Sequence, residues 1–212
     1  MKQYTIRYTA AKSLNEIDWS AADELEISER RLVDAGTDAA KTDVRAWCKL
    51  CYNEDGIYLH FRAREREIRS EERGALAAPC NDSCMEFFFC PMEDDRHYFN
   101  IEMNPDCAIY FGYGTSIADL IRLCPEEENI NEIFDTHAER TADGWTLTYR
   151  VPTALVRRFF ADFTPESGKR LRANCYKCAD KTSHPHWLSW NPVCNPIGKF
   201  HCRDDFGEMI ME

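Results

Sequence analysis

The sequence predicts an all-β fold, an antiparallel β-sandwich with one short helix. Three observations carry this. Short runs rich in aromatic and β-branched residues recur along the chain, each closed by a polar or glycine-containing turn, and they number roughly nine to eleven. Only one segment places apolar residues at helical spacing. Strands and helices do not alternate in the rhythm that a parallel βαβ sheet requires. The 212 residues read as one domain, 1–212, because sandwiches of this length commonly fold as a unit.

Taken in order, Tyr4–Tyr8 alternates and reads as an edge strand. Leu14–Trp19 reads as a loop or single helical turn with Leu14, Ile17 and Trp19 turned inward. Trp47–Tyr52 and Ile57–Ala63 form a hairpin about Asn53–Gly56, where Gly56 suits a positive φ. Trp47 and Trp145 open alternating strands and read as core. Glu65–Pro79 is a charged loop. Cys84–Cys90 and His97–Met103 then make the densest hairpin, flanking an acidic loop at Pro91–Arg96. Ala108–Tyr113 follows as a third strand, and Ile117–Asn131, with its acidic run Glu126–Glu128, shows no single period. Phe134–Arg140 and Trp145–Val151 are strands about an Ala142–Gly144 turn. Pro152 opens a helix to about Ala161, with Leu155, Val156, Phe159 and Phe160 on one face. Arg170–Ala179 and Phe206–Ile210 are the last strands, separated by an aromatic, proline-rich loop at Ser183–Phe206.

Charge and composition narrow the partners. The formal net charge is −11, which repels phosphate backbones and anionic lipid, so neither nucleic acid nor membrane is expected; neutral sugars remain open. The N-terminus lacks an apolar signal core, so a cytoplasmic location is expected. Eleven cysteines, an odd count spread through apolar runs, read as reduced thiols and not as a disulfide framework.

The candidate site lies in Asn81–Asn104. Strand side chains alternate faces, so Tyr98, Asn100, Glu102 and Asn104 share one face, and His97, Phe99, Ile101 and Met103 the other. Asp82 stands at the mouth of the first strand and Glu86 inside it. A carboxylate among Phe87, Phe88 and Phe89 needs either a partner, such as Arg150, Arg172 or Lys177, or a ligand. Asn174, Arg172 and Tyr176 share a face of a later strand and offer hydrogen bonds to hydroxyls. Trp187 and Trp190, followed by Asn191, lie in a loop where an indole can stack on a sugar. Polar groups on a sheet face beside aromatics suit a polyhydroxylated guest.

Other chemistries were weighed on the same residues. Glu86 and Glu102 could face each other across the hairpin as a glycosidase pair. The Cys48/Cys51 and Cys175/Cys178 pairs have zinc-like spacing, but within a strand the members of each pair point to opposite faces. Cys194, His201 and Cys202 form a looser cluster, and His97 with Met103 could serve as axial haem ligands. No serine–histidine–aspartate order, glycine-rich phosphate loop or H-E-x-x-H is present.

A family resemblance spans nearly the whole chain. Asn81–Phe88 carries Asp-x-x-x-Glu followed by aromatics, and Tyr98–Glu102, Gly144–Thr146, Val151–Pro152, Ser189–Asn191, Phe200–His201 and Asp205–Gly207 follow in order. Together they resemble carbohydrate-binding module family 9 and its family 9-like relatives. The resemblance implies a jelly-roll-like sandwich that binds a terminal sugar of a neutral mono- or oligosaccharide without cleaving it, in the service of glycan catabolism. It also implies a grip between two aromatic rings, and a structural calcium whose ligands are not carried to particular positions. In such members one ring comes from the loop before the Asp-x-x-x-Glu strand. Here Arg66–Asn81 has no aromatic, so the platform falls to Trp187 or Trp190.

Overall fold

Fourteen strands and two short helices are formed among residues 1–124 and 129–212, which the computed structural model describes. The acidic run Glu126–Glu128 lies outside the described residues. In chain order the strands are β1 Gln3–Tyr8, β2 Leu25–Ile27, β3 Glu29–Arg30, β4 Arg45–Asn53, β5 Gly56–Arg64, β6 Cys84–Cys90, β7 Tyr98–Met103, β8 Ile109–Gly114, β9 Ile121–Arg122, β10 His137–Arg140, β11 Gly144–Pro152, β12 Arg170–Ala179, β13 His186–Ser189 and β14 Gly207–Met211. The helices are α1 Ile130–Phe134 and α2 Thr153–Arg157.

One layer runs β10-β11-β5-β4, and β2 pairs along the far edge of β4. The other runs β14-β12-β6-β7-β8-β9, with β13 sharing an edge of β12 and β3 beside β13. The predicted edge strand β1 is instead the seam. It pairs in parallel with β14 over Gln3–Ile6 and with β4 at Arg7 and Tyr8. Its alternation is as expected, with Tyr4 and Ile6 buried, but alternation alone does not reveal how many neighbours a strand has.

The core fills the space between the layers. Leu50, Leu59, Phe61, Trp145, Leu147 and Tyr149 face Phe87, Phe89, Phe99, Ile101, Leu171 and Met209, all fully or almost fully buried. Each such side chain contributes roughly 1.5–3 kcal/mol of hydrophobic stabilisation. Helix α2 is shorter than expected, with Pro152 as its N-cap. Phe159 and Phe160, just past its end, meet Phe99 edge-on at 5.2 and 5.7 Å. Phe134 closes α1 and does not open a strand; β10 begins at His137.

Two expectations about β4 and β5 are corrected. Trp47 is not core: Ala46, Cys48 and Leu50 point inward against Ala63, Phe61 and Leu59 of β5. That turns Trp47 to the outer surface, where the Arg62 guanidinium lies 4.0 Å above its ring. Gly56 does not have a positive φ; it is required by close approach, since a Cβ there would sit 2.6 Å from the Val151 carbonyl oxygen of β11.

One polar cluster crosses the interior at one end. Lys177 of β12, fully buried, places its Nζ 3.1 Å from Glu65 Oε1 and 3.0 Å from His186 Nε2. Trp145 Nε1 of the opposite layer donates to Glu65 Oε2 at 3.0 Å. This cluster ties the layers together, and burial holds the His186 pKa down to about 3.

Candidate functional site

The outer face of the β13-β12-β6-β7-β8 sheet carries the polar residues that the sequence singles out. Registers define its rows. Tyr176, Glu86, Glu102 and Tyr110 are successive cross-strand neighbours on β12, β6, β7 and β8. One row along lie Asn174, Phe88, Asn100, Gly112 and Arg122. On the other side lie Trp187, Cys178 and Cys84. The face forms because β6 alternates: Met85, Phe87 and Phe89 enter the main core, while Cys84, Phe88 and Cys90 join a second apolar cluster outside it.

That second cluster is roofed by the segment before β14. Phe200 stacks on Tyr176 with ring centroids 4.1 Å apart, and the Tyr98 hydroxyl hydrogen-bonds to His201 Nδ1 at 2.9 Å. Gly112 and Gly114 admit Leu120 from the following turn; a Cβ at Gly114 would lie 2.9 Å from the Leu120 Cα. The roof covers the Asn174 and Phe88 end. Glu102, 7% exposed, lies at the margin of the covered region beside half-buried Tyr110 and Cys80.

Several candidate residues serve the scaffold. Asp82 is fully buried, bonds Arg69, and accepts from the Glu71 and Glu72 amides at 2.9 and 2.8 Å and from Asn104 Nδ2 at 2.8 Å. Its lone pairs anchor the loop before β6. Asn174 donates to the Asn191 carbonyl at 3.0 Å and accepts from the Asn191 amide at 2.9 Å. Asn191 in turn donates from its side chain to the Asp205 carbonyl and accepts from the Lys2 amide. Both amide side chains therefore pin backbone. Arg172 donates to the Phe206 carbonyl, and the Tyr176 hydroxyl donates to the Phe200 carbonyl. Trp190, only 4% exposed, lies in the main core edge-on to Tyr4 and offers no ring to a ligand. Gly207 makes room for it, since a Cβ there would meet the indole at 2.4 Å.

Glu86, Glu102 and Asn100 come together on the outer face, and Trp187 lies on the same face two strands from Glu86. None of the proposed cationic partners reaches Glu86: Lys177 points to the opposite face, and Arg172 goes to the roof. Its neighbour is a thiol, Cys178 Sγ donating to Oε1 at 2.9 Å. Burial first, and then the facing Glu102, push the Glu86 pKa well above the usual carboxylate range. Burial likewise raises Glu102 to about 7. Asn100 donates to Glu102 Oε1 at 3.0 Å, while its own Oδ1 is buried without a protein partner. Trp187 donates to Asp180 at 2.6 Å, and the Arg31 guanidinium covers its ring at 4.2 Å. Tyr110, which sequence reasoning missed, carries the Arg122 guanidinium at 4.7 Å. Its position beside Glu102 becomes legible only once the β7–β8 register is known.

The other chemistries fare differently. Cys48 and Cys175 enter the main core while Cys51 and Cys178 face outward, as the strand period requires. His97 binds half-buried Asp95, and Met103 is fully buried in the core. Calcium needs six to eight oxygen donors. Asp82 and Asp119 spend their oxygens on N–H and O–H donors instead, and among the described residues the convergent ligand group is thiol-rich. These side chains do not fit a calcium ion.

No curated protein matches the chain. Among solved structures, a Bacteroides uniformis ATCC 8492 protein assigned to carbohydrate binding is similar, with a TM-score of 0.82 and 21% identity over 100% of this chain and 99% of its own. A carbohydrate-binding module of family 9 from Caldicellulosiruptor kristjanssonii, solved with glucose, has a TM-score of 0.67 at 13% identity, covering 100% of this chain and 96% of that one. A module of that family and organism solved with cellotriose gives the same score and identity over 100% and 94%. These likenesses bear on the fold. In sequence, the model of carbohydrate-binding family 9 matches residues 41–211, most of the length. The chain belongs to carbohydrate-binding family 9.

Proposed function

We propose that the outer face of β6, β7 and β8 binds the terminal unit of a neutral mono- or oligosaccharide and performs no chemistry on it. Asn100 carries this reading: among the described residues its buried Oδ1 has no protein partner, beside two carboxyls that have no ionic one. Unpaired buried acceptors are costly, and a sugar hydroxyl entering past Glu102 would satisfy them. Tyr176 beside Glu86 is covered by Phe200, so half-buried Tyr110 is the accessible ring nearest the carboxyls, and Trp187 stands four strands away from it on β13, about 19 Å by strand spacing. That separation suits a single-ring platform at either end better than a two-ring clamp. A sugar stacking on Tyr110 or Trp187 would displace the arginine now above it. The chemistry fits a role in glycan catabolism, and eleven unpaired thiols suit a reducing compartment.

The runner-up is hydrolysis by Glu86 and Glu102, favoured by the raised pKa of Glu102. Their placement side by side on one sheet face weighs against it, because hydrolysis needs carboxyls flanking the scissile bond. Calorimetric titration with glucose and cellotriose tests both. Saturable binding that Glu102→Gln and Tyr110→Ala weaken, with no turnover of chromogenic glycosides, is expected. Turnover abolished by Glu86→Gln would replace binding with catalysis.

A further inference from the structure

The outer face holds two thiols that sugar binding does not use, next to a carboxyl that it does. Cys84 of β6 and Cys178 of β12 are register partners, and Glu86 follows Cys84 on the same face. The two sulfurs and a Glu86 oxygen all lie within 4.8 Å of one another, and all three residues are buried. Cys178 Sγ is 2.9 Å from Glu86 Oε1. We propose that Cys84, Cys178 and Glu86 form a binding site for a soft divalent cation, zinc foremost, with the adjacent Cys80 thiol or a water as fourth donor.

Geometry supports this directly. A tetrahedral zinc with bonds of about 2.3 Å to sulfur and 2.0–2.2 Å to oxygen sets its donors roughly 3.4–3.8 Å apart. The group brackets that spacing: Cys178 and Glu86, now 2.9 Å apart, need only open slightly, and no two donors lie farther apart than 4.8 Å. The β12–β6 backbone pairing is undisturbed, because these two strands already hold two ligands opposite each other. The site is also free of competing cations: among the described residues no lysine, arginine or histidine forms an ion pair with Glu86. Lys177, the nearest in sequence, is fully engaged by Glu65 and His186 on the other face of the sheet. Cys80 stands at the rim, half-buried, with its backbone carbonyl 3.8 Å from Cys178 Sγ.

Ligand chemistry selects the ion. Thiolates prefer zinc and its soft relatives, whereas calcium and magnesium demand an oxygen shell. Without metal, burial keeps both thiols protonated, that of Cys84 with its pKa pushed up to about 12. On binding, the two S–H bonds and one carboxylic O–H break heterolytically. Three protons leave to solvent while two metal–sulfur bonds and one metal–oxygen bond form. No electron transfer is involved. With water as fourth donor the charge of the filled group becomes −1; with the Cys80 thiolate a fourth proton leaves and the charge becomes −2.

This inference goes beyond sugar binding but shares Glu86 with it, so the test reads metal and sugar separately. The reduced, metal-free full chain is titrated with Co²⁺ under anaerobic conditions, without sugar. Thiolate-to-cobalt charge-transfer absorption saturating at one equivalent, displaced by Zn²⁺ and unaffected by Ca²⁺, is expected. Cys84→Ser and Cys178→Ser should each weaken it by about 100-fold or more, while Cys194→Ser leaves it unchanged. X-ray absorption of the unmutated zinc-loaded chain should report two or three sulfur neighbours, a readout independent of how the variants fold. No thiolate absorption, an unaltered signal in the Cys84→Ser/Cys178→Ser double variant, or a zinc shell without sulfur would overturn the proposal. So would closure of the pair into a disulfide with no metal uptake. Calorimetry with glucose on the metal-free chain then decides the sugar reading by itself.

Discussion

Glu86 and Glu102 stand directly opposite each other on β6 and β7, two buried carboxyls on one sheet face, and neither has an ion-pair partner among the described residues. Burial raises the pKa of both residues, and the facing Glu102 adds to the shift at Glu86. Proteins keep such an arrangement when the alternative partner arrives from outside. The predictions below separate the residues that hold this face in place from those free to act on it.

The two tryptophans of the late segment should divide cleanly. Trp190→Ala opens a cavity in the main core and should cost about 3–5 kcal/mol, read as a lower midpoint in urea unfolding. Trp187→Ala removes a half-exposed ring and should leave the midpoint nearly unchanged, with any effect confined to glucose or cellotriose affinity. Equal destabilisation by both would contradict the placement of the rings.

The interior polar cluster should be fragile when halved. Glu65→Ala strands the Lys177 ammonium and the Trp145 indole N–H, and Lys177→Ala strands Glu65. Each should cost about 3–5 kcal/mol in denaturant titration. The double variant should lose less than the sum, since neither charge is then left alone.

Acid should weaken the fold through two histidines. Burial holds His186 at about 3 and His201 at about 4. A histidine with a depressed folded pKa gives its full stabilisation above about pH 6.5, where the unfolded chain is also neutral. As pH falls, the unfolded chain takes up a proton that the buried ring refuses. Stability should therefore drop below pH 6.5, by roughly 1.4 kcal/mol per pH unit for each ring, down to about pH 4 for His201 and pH 3 for His186. Unfolding midpoints measured from pH 7 to pH 4 check this, and His186→Gln should flatten the slope by about half.

Gly144 should resist substitution. A Cβ there would fall 1.9 Å from the Ala63 carbonyl oxygen, against backbone of the paired strand β5. Gly144→Ala should destabilise by more than about 2 kcal/mol, whereas Gly74→Ala meets nothing within 4 Å and pays only for its positive φ of 77°. Thermal melts of the two variants make the comparison.

How much of this the sequence discloses depends on range. The β6–β7 hairpin and its two faces follow from alternation, a local signal, whereas the sequence leaves the opposition of Glu86 to Glu102 open and the register supplies it. The strand β12 is legible to the residue, because Arg170–Ala179 opens just after the break at Gly168 and mixes apolar with polar residues at strand spacing. The seam role of β1 is not legible, since it depends on partners roughly 45 and 205 positions away. Strands β2, β3, β9 and β13 are two to four residues long, too short for a period to register. At the site, residue type suggested hydroxyl contacts for Asn174 and Asn191. Their hydrogen bonds go to backbone instead, and only the folded course of the roof reveals that it needed tying down.

The double pairing of β1 also governs the order in which the molecule can be assembled. Gln3 to Ile6 have no strand partner until Glu208 to Met211 exist. During synthesis β1 is held only through Arg7 and Tyr8 on β4, and the two layers stay unlatched until β14 has been made. The fold is thus zipped by strands far apart in sequence, and removal of β14 should trap a partly closed intermediate long before it disturbs the β6–β7 hairpin.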